Sequence, residues 1–262
     1  MKFSQLLSKE AECVYPKERI DSIMDILHKN GYVTVKYLIE ALHYSNATIN
    51  RDLKIMENLN LVSRSYGGVE LVESRNIPVE FRYHKMKATK RRLTKCAADL
   101  IDDGDTIFIG GSTTCEGIGS FITDKKNITV ITNNMTLVAK LSEHGIHTIC
   151  SGGYLTEFPN ILGGDDAVKC AMKYKTDKMF FSTDMFSDSG NIGTRSTVYI
   201  SLYEAAIRNT DKLFFLADHT KLNNPAKYII SDFSEVCGVI TDCTFPDEVK
   251  NKYSDTAFYE IV

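Results

Sequence analysis

Two groups of residues in this 262-residue chain have types and spacings suited to chemistry. The first begins at Ser45. Asn46, Thr48, Asn50, Arg51 and Lys54 share the outward side of a helical pattern whose other side carries Ile49, Leu53, Met56 and Leu59. Small, polar and cationic side chains on the first turns of a helix are what base edges and phosphates require. Ser45 is placed to cap that helix. Leu61 to Val72 then alternates apolar and polar residues around Tyr66-Gly67-Gly68, with Arg64 near the tip. This predicts a hairpin wing lying on the DNA backbone or in the minor groove. The expected DNA-contacting residues are Ser45, Asn46, Thr48, Asn50, Arg51, Lys54, Arg64 and Tyr66. Asp52 is expected to form an internal ion pair or cap, because phosphates repel a carboxylate.

The second group consists of short polar clusters that follow apolar runs. They are Ser112-Thr113-Thr114, Thr132-Asn133-Asn134, Ser151-Gly152-Gly153, Thr183-Asp184 and Asp218-His219-Thr220-Lys221. Glycines let a backbone approach an anion closely, and unpaired N–H groups at a helix start attract it. A phosphorylated polyol or sugar suits this set, with Lys221 on the phosphate and Asp184 accepting from hydroxyls. The expected effector-binding residues are Ser112, Thr113, Thr114, Thr132, Asn133, Gly152, Gly153, Asp184, Asp218 and Lys221.

Positioning the first group takes a compact helical module. Ile20, Ile23, Met24, Ile26 and Leu27 recur at helical spacing, and Asn30-Gly31 stops that helix. Thr34 caps a second helix burying Leu38, Ile39 and Leu42, and His43-Tyr44 is the turn before Ser45. The second group needs a parallel sheet. Strands are predicted at Thr106–Ile109, Thr129–Thr132, His147–Cys150, Lys178–Ser182, Lys212–Ala217 and Gly238–Thr241. Helical patterns cover Cys115–Ile122, Met135–Glu143, Ala167–Lys173 and Tyr199–Arg208. Their alternation predicts an open α/β sheet binding its ligand at the carboxyl ends of the strands. The expected organisation is a winged helix-turn-helix over 15–72, a basic linker over 73–95 and an effector-sensing α/β domain over 96–262.

Charge follows that division. Residues 1–95 hold 17 Lys/Arg against 11 Asp/Glu and residues 96–262 hold 14 against 23, so +6 and −9 make up the net −3. The basic excess is concentrated between Arg75 and Lys95, which assigns much of the phosphate attraction to the linker. The longest apolar runs are too short to span a bilayer, and no signal peptide opens the chain, so a cytoplasmic location without membrane attachment is expected. Seven scattered cysteines with no C-x-x-C pair predict reduced, mostly buried thiols.

The residues Val33-Thr34-Val35, Leu38, Ser45, Thr48-Ile49, Arg51-Asp52-Leu53, Arg64 and Gly67-Gly68 resemble the DeoR-type winged helix-turn-helix. From residue 90 to 245 the chain resembles the DeoR-family sensor domain. Ala97-Ala98, Asp103 to Phe108, Thr113-Thr114, Val130 to Asn134, Gly152-Gly153, Ala217 to Lys221 and Ile240 to Asp242 carry that likeness. The resemblance implies a bacterial regulator, usually a repressor of sugar-catabolic genes. It further implies a phosphosugar effector, a double-stranded operator, a homo-oligomer, and a Rossmann-like sensor fold shared with ribose-5-phosphate isomerase. The chain departs from the family at Asn50, where a basic residue is usual, at Asn60, where a Gly is usual, at Gly110 and Ser112, where an Asp and a Gly precede the two threonines, and across Ser196 to Glu204, where Val198, Tyr199, Leu202 and Tyr203 occupy a segment that usually carries a Glu and a Lys.

An isomerase fused to a DNA-binding domain is the rival. Proton abstraction beside a carbonyl needs a positioned base, yet Met185 and Phe186 follow Asp184 where the isomerase pattern has further acids. Binding without turnover is expected, and no cofactor. His144 and His147 form an H-x-x-H near Cys150, but Gly145 places them on a helix end and a strand, so no metal site is expected.

Overall fold

The computed structural model describes residues 17–59, 61–65, 68–72, 86–156 and 160–261. The chain divides into two compact units, Met1–Lys85 and Met86–Val262.

In the first unit, α1 (Lys17–Asn30), α2 (Val35–Leu42) and α3 (Asn46–Asn58) pack with β1 (Tyr32–Thr34), β2 (Val62–Ser65) and β3 (Gly68–Leu71). The strands form an antiparallel sheet in the order β1-β3-β2. Ile23, Leu27, Leu38, Ile49, Leu53, Met56 and Val69 are fully buried at its centre. The local signals act as expected. Gly31 takes φ +71° at the end of α1, and Thr34 accepts the Tyr37 amide at 3.1 Å to cap α2. His43, at φ 56°, ends α2 in a left-handed cap, its amide on Ile39 O.

The second unit is built on seven strands in the order β15-β14-β12-β9-β4-β5-β6. They are β4 (Thr106–Ile109), β5 (Thr129–Thr132), β6 (His147–Cys150), β9 (Thr176–Phe181), β12 (Thr210–Ala217), β14 (Gly238–Thr241) and β15 (Ala257–Glu260). Every neighbouring pair is parallel. Alternate residues of β4 serve opposite faces: Ile107 and Ile109 pack with Leu93, Ala97, Ile118, Leu137 and Leu141, whereas Phe108 packs with Ala167, Leu202 and Phe215. Helices α4 (Lys87–Asp99) and α5 (Met135–Glu143) therefore cover one face, and α6 (Asp165–Lys173) and α7 (Ile200–Arg208) the other. Hairpin β7 (Tyr154–Leu155) and β8 (Leu162–Gly163) pairs beside β5 through an Asn134–Ile161 bridge. An antiparallel set joins β10 (Met185–Phe186), β11 (Asn191–Thr194) and β13 (Tyr228–Asp232).

Three expectations need correction. The basic linker does not run to Lys95, because Lys87–Lys95 lie within α4. Leu93, Ala97, Ala98 and Ile101 form an apolar stripe at spacings of three and four and are buried in the second unit's core. The helix expected from Cys115 is a six-residue 3-10 turn, Cys115–Ser120. Within it a Cβ on Gly119 would stand 2.4 Å from Leu137, so α5 packs onto bare backbone. Finally, the thiols are not mostly buried. Among the described residues only Cys115 is, and burial pushes its thiol up to about 12. Cys96, Cys170 and Cys243 are half-buried, while Cys150 and Cys237 are exposed. Among the described residues no helix is long and apolar enough to cross a membrane.

Candidate nucleic-acid interface and effector site

Helix α3 presents the first group as one surface. Ser45 Oγ accepts the Thr48 amide at 3.2 Å and lies 2.8 Å from Thr48 Oγ1. Both hydroxyls thus serve the helix start. Asn46, Arg51 and Lys54 are exposed, and Thr48 and Asn50 half-buried, while Ile49, Leu53 and Met56 anchor the opposite side. Lys54 lies 3.4 Å from Glu57. Asn50 links this helix to the wing: its Nδ2 donates to Asn46 O at 2.9 Å and to Asn46 Oδ1, and its Oδ1 accepts Arg64 Nη2 at 2.6 Å. Tyr66 falls outside the described residues. Asp52 turns inward, as its charge requires. Its fully buried carboxylate accepts both Arg19 Nε and Arg19 Nη2, the latter at 2.9 Å. That contact raises the Arg19 pKa, and the guanidinium also stacks over Tyr44, 4.9 Å from the ring centre.

The second group gathers at one edge because all seven strands run the same way. Chain order reverses between β4 and β9, with β5 and β6 on one side and β12, β14 and β15 on the other. Such a reversal opens a crevice where α/β sheets bind ligands. The loop after β4, Gly110 to Thr114, and the loop after β9, Ser182 to Asp184, flank it. Gly110 N donates to Phe180 O at 2.9 Å, joining the two strands at that point. Thr132 and Asn133 follow β5 next door: Thr132 Oγ1 donates to Ile109 O at 2.7 Å, and Asn133 Nδ2 to Leu162 O at 2.9 Å. Asn133 Oδ1 is buried against Gly111 and has no hydrogen-bond partner among the described residues. Asp218 and Lys221 follow β12, beside β9.

Several expected ligands already have structural duties. Ser112 Oγ accepts the Cys115 amide at 2.9 Å, and Thr114 is buried. Asp184 Oδ2 accepts Thr194 Oγ1 and the Arg195 amide, both at 3.0 Å. Asp218 caps the turn His219–Lys221 through the Thr220 amide at 3.0 Å. Asp242 holds His219 at both its backbone amide and Nδ1, each at 2.6 Å. Gly152 and Gly153 lie after β6, two strands from β4. Their φ values of +71° and +102°, and the Gly163 carbonyl 2.2 Å from where a Gly153 Cβ would stand, give them a backbone reason to be glycine. Lys221 is half-buried and makes no ion pair among the described residues.

One feature escapes the sequence reading, and another, Tyr203, is named there only as a departure from the family. Lys90, there a linker residue, is buried on α4 and places Nζ 3.0 Å from Thr113 Oγ1, bringing an ammonium to the β4 loop. Its spacing from Leu93, Thr94, Ala97 and Ala98 is the available signal, since it puts a lysine on an apolar face. Tyr203 also reaches the crevice, packing edge-on to Phe181 at 5.9 Å and stacking on Tyr199 at 6.1 Å. Burial pushes the Tyr203 phenol well up. A Cβ on Gly110 would stand 2.9 Å from the Tyr203 hydroxyl, so the two residues fit each other. Tyr199 OH lies 3.2 Å from Thr156 Oγ1. The two histidines of the H-x-x-H have separate partners: His144 Nδ1 is 2.9 Å from Lys140 O, and His147 Nδ1 is 3.2 Å from Thr129 Oγ1.

Residues 19–75 match the DeoR-like helix-turn-helix domain and residues 85–243 the DeoR C terminal sensor domain. The chain is 28% identical over 240 residues to the lactose phosphotransferase system repressor of Staphylococcus aureus (strain NCTC 8325 / PS 47), covering 89% of this chain and 94% of that protein. It is 26% identical over 243 residues to the glycerol-3-phosphate regulon repressor of Escherichia coli (strain K12), covering 91% and 95%. Among solved structures, ribose 5-phosphate isomerase from Plasmodium falciparum aligns with a TM-score of 0.39 and 16% identity, over 52% of this chain and 53% of that one. The chain thus spans about half the length of that isomerase.

Proposed function

The chain belongs to the DeoR family, and on that footing we propose that it is a cytoplasmic, DNA-binding repressor of carbohydrate-catabolic genes, released or engaged by a phosphorylated sugar. The strongest support is one pairing in one chain: an exposed polar and cationic helix face from Asn46 to Lys54, and a second unit whose glycine and hydroxyl loops meet at a sheet reversal. Ser45, Asn46, Thr48, Asn50, Arg51, Lys54, Arg64 and Tyr66 make up the DNA surface. A homodimer or larger oligomer sets two copies of α3 in successive major grooves of a repeated operator. Ser112, Thr113, Thr114, Thr132, Asn133, Asp184, Asp218 and Lys221 surround the effector, with Lys90 as a further cation for its phosphate. Gly152 and Gly153 shape the outer rim. The effector changes DNA affinity only as far as it prefers one arrangement of the protein over another.

Catalysis is not part of this function. Proton abstraction beside a carbonyl needs a positioned base together with an acid or oxyanion stabiliser, and Met185 and Phe186 follow Asp184 where the isomerase pattern has further acids. Pentose-phosphate turnover that disappears in Asp184→Asn would overturn that part. The whole proposal is tested by mapping the genomic DNA the full chain occupies, then adding sugars to the isolated complexes. Occupied sites should lie beside carbohydrate genes, and a phosphorylated sugar, unlike its free parent, should change occupancy. Sites unrelated to such genes, or equal response to both sugars, would refute it.

A further inference from the structure

We propose that Asn50 is a positioning residue rather than a base reader, and that its place on α3 selects guanine through Arg64. This rests on the DNA-binding function proposed above. An amide reads adenine by accepting from N6 and donating to N7. Asn50 has no hydrogen left for that donation, because Nδ2 directs one at Asn46 O, 2.9 Å away, and the other at Asn46 Oδ1. Its carbonyl oxygen is also engaged, accepting Arg64 Nη2 at 2.6 Å. The three side chains form a relay from the first turn of α3 to strand β2, residues 14 apart in sequence at the Arg64 step.

The relay fixes what the surface can recognise. A guanidinium has donors only, five in a planar fork, and one of them holds Asn50. Tied to α3 in this way, Arg64 faces the major groove with that helix, not the backbone or minor groove expected of the wing, and its remaining donors can satisfy a pair of acceptors. In the major groove guanine alone shows two adjacent acceptors, O6 and N7, whereas adenine sets a donor beside its acceptor. Asn46 adds a donor to the same surface, because its Oδ1 is turned to Asn50. A long side chain loses considerable rotamer freedom on binding. An Arg64 already tethered to α3 loses less, so the tether contributes to specificity without touching a base.

The test is selection of binding sites from a random-sequence DNA duplex library by the full chain and its variants. Wild type should select a guanine in each half-site. Arg64→Ala and Asn50→Ala should both lose preference for that same guanine by roughly tenfold or more, with the other positions kept. Asn50→Asp retains an acceptor for Arg64 and should retain the guanine even where total affinity falls. The proposal is overturned if Asn50→Ala loses an adenine that Arg64→Ala keeps, since Asn50 then reads a base. It is equally overturned if Arg64→Ala weakens every sequence alike, the signature of a phosphate contact. Should Asn50→Ala not fold, Arg64→Ala and Asn50→Asp still decide between these outcomes. A wild type that enriches no sequence would instead remove the DNA-binding function itself.

Discussion

Arg51 and Asp52 are adjacent on α3, yet their removal should damage the protein in different ways. The Asp52 carboxylate is fully buried, and the Arg19 side chain opposite it is 18% exposed. Two nitrogens of one guanidinium meet two oxygens of one carboxylate, the geometry of a strong charge-assisted pair. Breaking a buried pair by removing one partner costs ~3–5 kcal/mol. Partial exposure lets Arg19 turn toward water, which lowers the expected loss for Asp52→Ala to about 2–3 kcal/mol. At ~0.05–0.15 kcal/mol per residue, a unit of this size has roughly 4–13 kcal/mol in total. Asp52→Ala should therefore move the unfolding of the first unit to markedly lower temperature and weaken operator binding only through the unfolded fraction. Arg51→Ala should leave unfolding within about 0.5 kcal/mol of wild type, as surface changes do. Its operator affinity should fall by roughly 1–3 kcal/mol if Arg51 pairs with a guanine. Circular dichroism melts and fluorescence anisotropy on an operator duplex, at one fixed salt concentration, measure both quantities. An Asp52→Ala protein that melts like wild type would refute the inward assignment. Unchanged operator affinity in Arg51→Ala would refute the outward one.

Lys90→Met keeps the length of a buried side chain while removing its ammonium. It should leave operator affinity without effector unaltered and raise the effector concentration for half-response roughly ten- to hundredfold, the equivalent of one charged hydrogen bond of about 1.5–3 kcal/mol. A normal titration would remove Lys90 from the phosphate site. Lys221→Ala should likewise spare operator binding but abolish the effector response, and a response at wild-type concentrations would exclude Lys221. Gly110→Ala places a methyl group 2.9 Å from the Tyr203 hydroxyl and 3.2 Å from its ring. Overpacking of about 1–3 kcal/mol should lower the melting temperature of the second unit, with Tyr203→Phe restoring part of it. No shift on calorimetry would show that the ring yields freely.

Secondary structure was legible wherever a local signal was sufficient. Thr34 and Ser45 cap helices because a hydroxyl reaches an amide two or three residues on, within the reach of sequence inspection. Strands β4, β5, β6 and β14 appear with the expected ends, since apolar runs bounded by Gly, Asn and Ser have few other solutions in an α/β chain. Strand β15, Ala257–Glu260, was not foreseen; it lies at the sheet's edge, where burial on one side leaves a weak pattern. Charge composition puts Lys90 in the linker because it averages over a segment, whereas the fate of one lysine depends on which side of a helix it occupies. The 3-10 turn at Cys115–Ser120 has the local pattern of a helix, because glycine contacts with α5 are invisible in a local window.

Residue order alone determined that this chain carries a winged helix-turn-helix ahead of a parallel α/β sheet, because periodicity, caps and turn residues act over a few positions. It also indicated that Asp52 turns inward, since a carboxylate facing phosphates is repelled. The identity of its partner, Arg19, 33 residues away, came only with folding. The same holds for the Arg64–Asn50–Asn46 relay, the Lys90 ammonium at Thr113, and the Tyr203 ring over Gly110. Each joins residues on different elements, and packing sets which of many compatible side chains meet.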